Sequence, residues 1–368
     1  MAKKVVICGN YGATNLGDEA ILTCLIAQIR KIEPSTTITV MSANPRETAK
    51  KYGVKAVPFL PAGFRSSARS VLGLGLAKSV IAVAKCDLFI LGGGGLFTDE
   101  KPHAILIWGI HAKLANLFKK KVYMYAQSVG PLEYKWSQKV VQKLFRKATH
   151  VSVRDQESKD LLDLMDIQKY VDITADPAIL LPKPVDRAWD GKKYMILSVR
   201  PWIKYRHDLN KILAQYCDWL YKNHKIKALL LPFQESHDND THELNKIFAQ
   251  TKHAEVLDFD DNLESVLQKI SGAEFVVGMR LHSLIFACLT NTPLIGLSYS
   301  QKVENFLRSI NMQNNRLDIE TFTLENLQNL TQKILSDSNS AKSELQKAHE
   351  NLKAKASIDE KTLTKLLI

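Results

Sequence analysis

The sequence predicts an α/β protein made of two successive halves, each with a parallel sheet. Three observations carry this. Short apolar runs alternate with longer helical patterns through most of the chain. The rhythm breaks once, at Leu180–Lys193, where Pro182, Pro184 and Gly191 stand among charges, and then resumes. The residues of unusual chemistry fall just after the apolar runs, at the carboxyl ends of the predicted strands, where open α/β sheets bind ligands.

In the first half, Lys4–Cys8, Ile38–Met41, Leu88–Leu91, Val122–Tyr125 and Val151–Val153 read as strands. Glu19–Ile32, His103–Phe118 and Ser137–Ala148 read as the helices between them. In the second half the strands are Tyr194–Val199, Ala228–Leu231, Val256–Phe259, Phe275–Val277 and Leu294–Leu297. From Leu324 onward the chain is polar and helical. The expected domains are therefore 1–182, 192–323 and a C-terminal helical segment 324–368, with a cleft between the first two.

A chain of 368 residues suits two domains of ordinary size. Its 45% hydrophobic and 24% charged residues exclude a disordered or collagen-like chain. No apolar run approaches the roughly 18 residues of a membrane-spanning helix. The N-terminus reads as a first strand and not as a signal peptide, so a cytoplasmic protein is expected. The net charge of +12 favours anionic partners. No zinc-finger spacing, RNP pattern or long basic block supports nucleic acid. Cys8, Cys24, Cys86, Cys217 and Cys288 are scattered in mostly apolar surroundings, which predicts reduced structural thiols and no zinc site.

The first strand runs into Gly9-Asn10-Tyr11-Gly12-Ala13-Thr14-Asn15-Leu16-Gly17-Asp18-Glu19. Its glycine spacing is neither a dinucleotide fingerprint nor a P-loop. Such a turn can still offer backbone N–H groups to an anion at a helix N-terminus. Asn10, Asn15 and Asp18 would add hydrogen bonding suited to sugar hydroxyls. The competing reading is a tight turn with Asp18 capping the helix from Glu19. Gly92–Gly95 follows a buried strand, and four glycines there imply close backbone approach, to a ligand or to a crossing helix.

Gly278-Met279-Arg280-Leu281-His282 is the sharpest local signal. A strand ends, Arg280 and His282 open a helix, Asn291-Thr292-Pro293 closes it, and Lys302 follows the next strand. A right-handed crossover puts His282 and Lys302 on one sheet edge. A helix N-terminus favours a neutral imidazole able to act as a base. Other histidines are weaker. His237 and His242 near Asp238 and Asp240 read better as a solvated loop than as metal ligands; His103 and His111 lie on the helix after the glycine run, and His103 could reach the cleft. Phe64–Ala84, with Arg65, Arg69, Lys78 and Lys85, reads as a lid or anionic-lipid surface, or equally as an amphipathic core helix.

At these residues the sequence resembles the polysaccharide pyruvyl transferase family, from about Val5 to Asn305. The match also includes Ala126-Gln127-Ser128-Val129-Gly130-Pro131, Ser152-Val153-Arg154-Asp155 with Ser158, Asp176-Pro177-Ala178 and Tyr299-Ser300-Gln301-Lys302-Val303. In detail it is similar to bacterial members acting on precursors of cell-wall polymers. The resemblance implies two facing Rossmann-like domains of GT-B type, phosphoenolpyruvate as donor, a pyruvate ketal on a sugar as product, and no essential metal or other cofactor. His282 is then the candidate general acid/base. Arg154, Arg280 and Lys302 hold the donor, whose phosphate and carboxylate need fixed cations. Asn10, Asn15, Asp18, Gly93, Gly94 and Gln127 form the acceptor and anion side. The implied partners are phosphoenolpyruvate and a lipid-linked glycan, with peripheral contact at the inner membrane face and no nucleic acid. The alternatives are a GT-B glycosyltransferase using a nucleotide sugar, with Glu304 as the acid for its ribose, and a binding protein without turnover.

Overall fold

The computed structural model describes residues 2–60, 74–100, 102–167, 171–185, 191–202, 209–236 and 239–368. Arg65, Arg69, His237 and Asp238 lie outside them. The chain divides into two compact units. The first is Met1–Ala13, Asp18–Leu180 and Leu352–Ile368, and the second is Thr14–Gly17 and Leu181–Asn351.

The first unit is built from β1 (Lys4–Cys8), α1 (Leu16–Ile32), β2 (Thr37–Ser42), α2 (Pro45–Tyr52), β3 (Lys55–Pro58), α3 (Leu74–Lys85), β4 (Leu88–Leu91), β5 (Gly94–Phe97), α4 (Pro102–Leu117), β6 (Lys121–Val129), α5 (Lys135–Lys147), β7 (His150–Val153), α6 (Gln156–Leu164) and β8 (Val171–Ile173). The strands lie in the order β3-β2-β1-β4-β6-β7-β8, with β5 beside β6. Every pairing is parallel. Both faces of such a sheet are covered, so β1 and β4 are continuous apolar runs, and that is why they were legible. The described part of the 64–84 stretch is α3. It puts Val83 in the core with Leu76, Val80 and Ala82 against it, so there it is a core helix and not a lid.

The second unit contains β9 (Tyr194–Ser198), α7 (Leu209–His224), β10 (Lys227–Leu230), α8 (Asp240–Phe248), β11 (Ala254–Val256), α9 (Leu263–Ser271), β12 (Val276–Gly278), α10 (Leu281–Thr290), β13 (Leu294–Ser298), α11 (Gln301–Ser309), β14 (Arg316–Asp318), α12 (Leu324–Ser336) and the first part of α13 (Ser338–Leu367), up to Asn351. Its strand order is β11-β10-β9-β12-β13-β14, again all parallel. In each sheet the chain order reverses once, beside β1 and β4 in the first and beside β9 and β12 in the second. These are the topological switch points at which such sheets bind ligands.

The 324–368 segment, expected as a piece of its own, divides between the units. The end of α13 buries Leu352, Ala356, Leu363 and Leu367. Its Asp359 carboxylate, also buried, accepts from Thr174 Oγ1 at 2.7 Å and from the Tyr123 hydroxyl. A polar-looking helix is thus anchored by one buried carboxylate and a narrow apolar stripe. All five cysteines are buried and none forms a disulfide, as expected.

Candidate functional site

The first unit's glycine turn is organised by carboxylates and an aromatic ring. Glu19 accepts the backbone N–H of Gly12 at 2.8 Å and the Tyr52 hydroxyl. Asn10 Nδ2 donates to Asp18 Oδ2 at 2.7 Å, and both side chains are half-buried. The fully buried Tyr11 ring explains the glycines above it: a Cβ on Gly92 would meet the Tyr11 hydroxyl at 1.9 Å. Gly93 lies against the Ala126 carbonyl and Ile21. Gly94 adopts φ 111° with Asp18 Oδ1 nearby, 3.5 Å from where its Cβ would stand. The four-glycine run is therefore first a packing requirement, and it continues into β5 as strand and not as turn.

Gln127, expected on the anion side, is fully buried. Its Nε2 donates to the carbonyls of Leu91 and Gly92 at 2.8 and 2.7 Å. It holds the end of β4, its amide N–H groups engaged by backbone carbonyls. The β6–β7 register shifts between Met124 and Gln127, with Ala126 at φ 44°, and that irregularity turns Gln127 beneath the switch point. Ser128 Oγ donates to Asp155 Oδ2 at 3.0 Å, and Asp155 caps α6 through the N–H of Ser158 at 2.8 Å. Several residues of the sequence motifs thus lock strand ends together. Arg154 forms a buried ion pair with Asp176.

The second unit gathers the sharper chemistry. Arg280 is the N-cap of α10, and its guanidinium is gripped along one edge by Asp240, Nε lying 3.0 Å from Oδ2 and Nη2 bonding Oδ1. Asp240 is fully buried, which corrects the reading of its loop as solvated. It also accepts the N–H groups of Phe233 and Gln234 at 3.0 and 3.1 Å. Burial pushes its carboxyl above the usual range, opposed by Arg280, by the Phe233 N–H and by Arg200. Arg200 donates to the Tyr299 hydroxyl at 3.0 Å, and its guanidinium lies 5.1 Å from the Tyr299 ring and 5.6 Å from Trp202.

His282 is the second residue of α10, half-buried, with its ring 6.3 Å from Phe286. The ring sits against Gly17, where an added Cβ would lie 1.9 Å from Nδ1. Gly17 belongs to Thr14–Gly17, a segment fastened within the same unit. Asn15 Nδ2 donates to Gln234 Oε1 at 3.1 Å, Leu16 N–H to Phe233 O at 3.0 Å, and Asn15 Oδ1 accepts Gly17 N–H at 3.0 Å. Asn15 therefore takes the helix-capping role expected of Asp18, because α1 begins three residues earlier than expected. Asn15, Gly17, Gln234, Asp240, Arg280 and His282 form one connected network. Lys302 is the half-buried second residue of α11, after the neighbouring strand. Glu304, the candidate ribose acid, is engaged by Arg308 at 3.1 Å and Arg316 at 3.0 Å.

The expected bare cations are thus, for both arginines, members of buried ion pairs. A buried guanidinium is costly unless a carboxylate and hydrogen bonds compensate it. The partners Asp176 and Asp240 carried no separate sequence signal beyond Asp176 standing inside a matched motif. His111 is not a site residue. It is fully buried, its Nδ1–H donates to Ile107 O at 2.7 Å, and Nε2 accepts Leu60 N–H at 2.9 Å. Among the described residues, no cluster of three or more His, Cys, Asp or Glu could hold a metal ion. No helix among them is long and apolar enough to cross a membrane.

Residues 15–301 match the family model for polysaccharide pyruvyl transferase. The amylovoran biosynthesis protein AmsJ of Erwinia amylovora is 20% identical over 376 residues, covering 86% of this chain and 88% of that protein. Among solved structures, S. aureus MnaA with UDP superposes with a TM-score of 0.65 at 11% identity, over 95% of this chain and 91% of that one. Anabaena Alr3699/HepE in complex with UDP-glucose gives a TM-score of 0.63 at 14% identity, over 99% and 98% of the two chains. At such low identity the likeness gives the fold alone: two Rossmann-like domains of the GT-B type.

Proposed function

The chain belongs to the polysaccharide pyruvyl transferase family, and from that membership we propose that it pyruvylates a sugar of a lipid-linked polysaccharide precursor, with phosphoenolpyruvate as donor and no other cofactor. The observation that carries the reading is the network at the switch point of the second unit. There a guanidinium fixed in plane by Asp240 stands two residues from a histidine packed against Gly17.

The donor's methylene carbon accepts a proton, and positive charge develops on the adjacent carbon. One sugar hydroxyl adds there, phosphate departs, and a second hydroxyl closes the ketal. Of the two hydroxyl protons, one balances the new methyl group and the other leaves with phosphate. His282 accepts a proton from an attacking hydroxyl. Arg280 meets the donor's anionic groups, and Arg154 is carried over from the family motif as a second donor cation. Lys302 and the N-terminus of α11 stabilise the departing phosphate. Asn10, Asn15 and Asp18 are assigned to the acceptor sugar.

The test is phosphate release from phosphoenolpyruvate that depends on an added lipid-linked sugar, together with the mass gained by that acceptor. A gain equal to a pyruvyl ketal supports the reading. Nucleotide-sugar binding with no effect of phosphoenolpyruvate would replace it with glycosyl transfer. His282→Ala is expected to lower kcat by roughly 10²–10⁴-fold while donor binding persists. Unaltered turnover in that variant would remove His282 from the mechanism.

A further inference from the structure

On the first unit, α4 and α5 flank a groove of about 570 Å³ that belongs to no part of the reaction above. Its rim carries Lys113, Lys119, Lys139, Lys143 and Lys147, and Leu117 is 74% exposed beside them. No carboxylate lines it, and among the described residues none of these five lysines pairs with one. Lys139, Lys143 and Lys147 succeed one another at i, i+4 and i+8, a like-charge spacing that disfavours the helix. Something other than folding stability therefore accounts for the cluster.

The apolar component is equally unbalanced. The α4 sequence is apolar nearly all round, which in a globular protein implies burial on every side. Yet Leu106, Ile110 and Leu117 form one outward stripe at i, i+4 and i+11, with Lys113 completing it, and all three apolar side chains are exposed. On α5, Trp136 precedes Val140, Lys143 and Lys147 on one face by the same spacing. Trp136 is 40% exposed and stacks on the exposed Tyr134 with ring centroids 6.4 Å apart.

We propose that this α4–α5 face docks on an anionic phospholipid surface. The composition fits a bilayer interface better than a protein partner. Aliphatic side chains enter the acyl boundary, Tyr134 and Trp136 sit at headgroup depth, and lysine stems lie along the apolar floor with their ammonium groups among phosphates. The inference deepens the proposed reading, resting on its lipid-linked acceptor for the approach to a membrane, and assigns that approach to α4 and α5.

The test is sedimentation of the full chain with phosphatidylcholine vesicles, with and without phosphatidylglycerol. Binding is expected only with the anionic lipid, and it should fall as salt rises. Each lysine near the surface contributes about fivefold, so Lys113→Ala/Lys139→Ala/Lys143→Ala should weaken binding roughly a hundredfold. These positions are exposed on helices, and an unchanged circular dichroism spectrum will confirm folding. Leu117→Ser should weaken binding about tenfold. Turnover of a water-soluble acceptor should be unaffected by either variant, which separates this outcome from any failure of the proposed reaction. Equal binding to neutral vesicles, a triple variant that binds like the parent, or binding to polyglutamate with none to vesicles would each overturn the proposal.

Discussion

Gly17→Ala is a substitution whose effects on activity and stability should part company. A Cβ at residue 17 would lie 1.9 Å from His282 Nδ1 and 2.3 Å from Cε1 and Cγ, whereas ordinary contact begins at 3.4 Å. The imidazole must therefore retreat by about 1.5 Å, the difference between the two distances. Gly17 lies in the first turn of α1 and has no left-handed φ, so alanine is conformationally welcome there. Its helix propensity favours the variant by up to about 1 kcal/mol, which offsets the local crowding. A displacement of about 1 Å in a reacting group costs on the order of 10²-fold in rate. The expected result is a kcat for acceptor-dependent phosphate release lowered about a hundredfold, with Tm within a few degrees of the parent. The decisive comparison is a double-mutant cycle with His282→Ala, because both substitutions act through one ring. In the His282→Ala background the added methyl should cost nothing further. Parent-like turnover in Gly17→Ala, or an undiminished penalty in the double variant, would refute the placement of His282 as the reacting group.

Two further outcomes follow from buried titratable groups. Burial pushes the His111 imidazole down to about 4 from an ordinary 6.5, so its contribution to stability is complete above pH 6.5 and is lost as pH falls toward 4. That difference corresponds to about 3 kcal/mol, and His111→Gln should flatten this part of the urea-midpoint profile between pH 7 and pH 4.5, whereas an unchanged slope would contradict it. Burial also raises the thiol pKa of all five cysteines, Cys86 to about 11, and none should react with a thiol reagent until the chain unfolds, so fast labelling of any one in the native protein would show that its burial is transient.

What the sequence revealed follows from which forces leave a one-dimensional trace. Central parallel strands must be apolar on both faces, so β1, β4, β9 and β13 stood out as unbroken runs. Edge strands need less. β3, β8 and β14 have three or four residues with much of their surface half-buried, and they blend into loops. β11 lies at Ala254–Val256, overlapping the expected Val256–Phe259 only at Val256. The candidate site was legible wherever glycine, arginine or histidine broke an apolar pattern at a strand end. Its carboxylate partners were not, because any of 38 acidic residues can neutralise an arginine and only the folded path brings Asp240 to Arg280. Tyr11 hid for a related reason: a tyrosine in a glycine turn looks like a contact for ligand, whereas here its ring fills the space that the glycines leave.

Pairing also changes the electrostatic premise of the donor recognition proposed above. Arg154 with Asp176, and Arg280 with Asp240, are close to neutral as pairs, so neither acts on a distant anion as a lone positive charge would. What the Arg280 pair supplies is direction. The carboxylate fixes the plane of the guanidinium fork, so that forming a hydrogen bond to an arriving anion requires little reorientation. In the second unit the amino ends of α10 and α11, which follow adjacent strands of one sheet edge, add positive potential beside Arg280. Such preorganisation would suit the reaction proposed above, in which charge moves from a carboxylate-bearing carbon to a leaving phosphate. Groups already oriented before the charge moves stabilise the transition state without reorganising, whereas mobile cations would bind the ground state equally well and leave the barrier where it was.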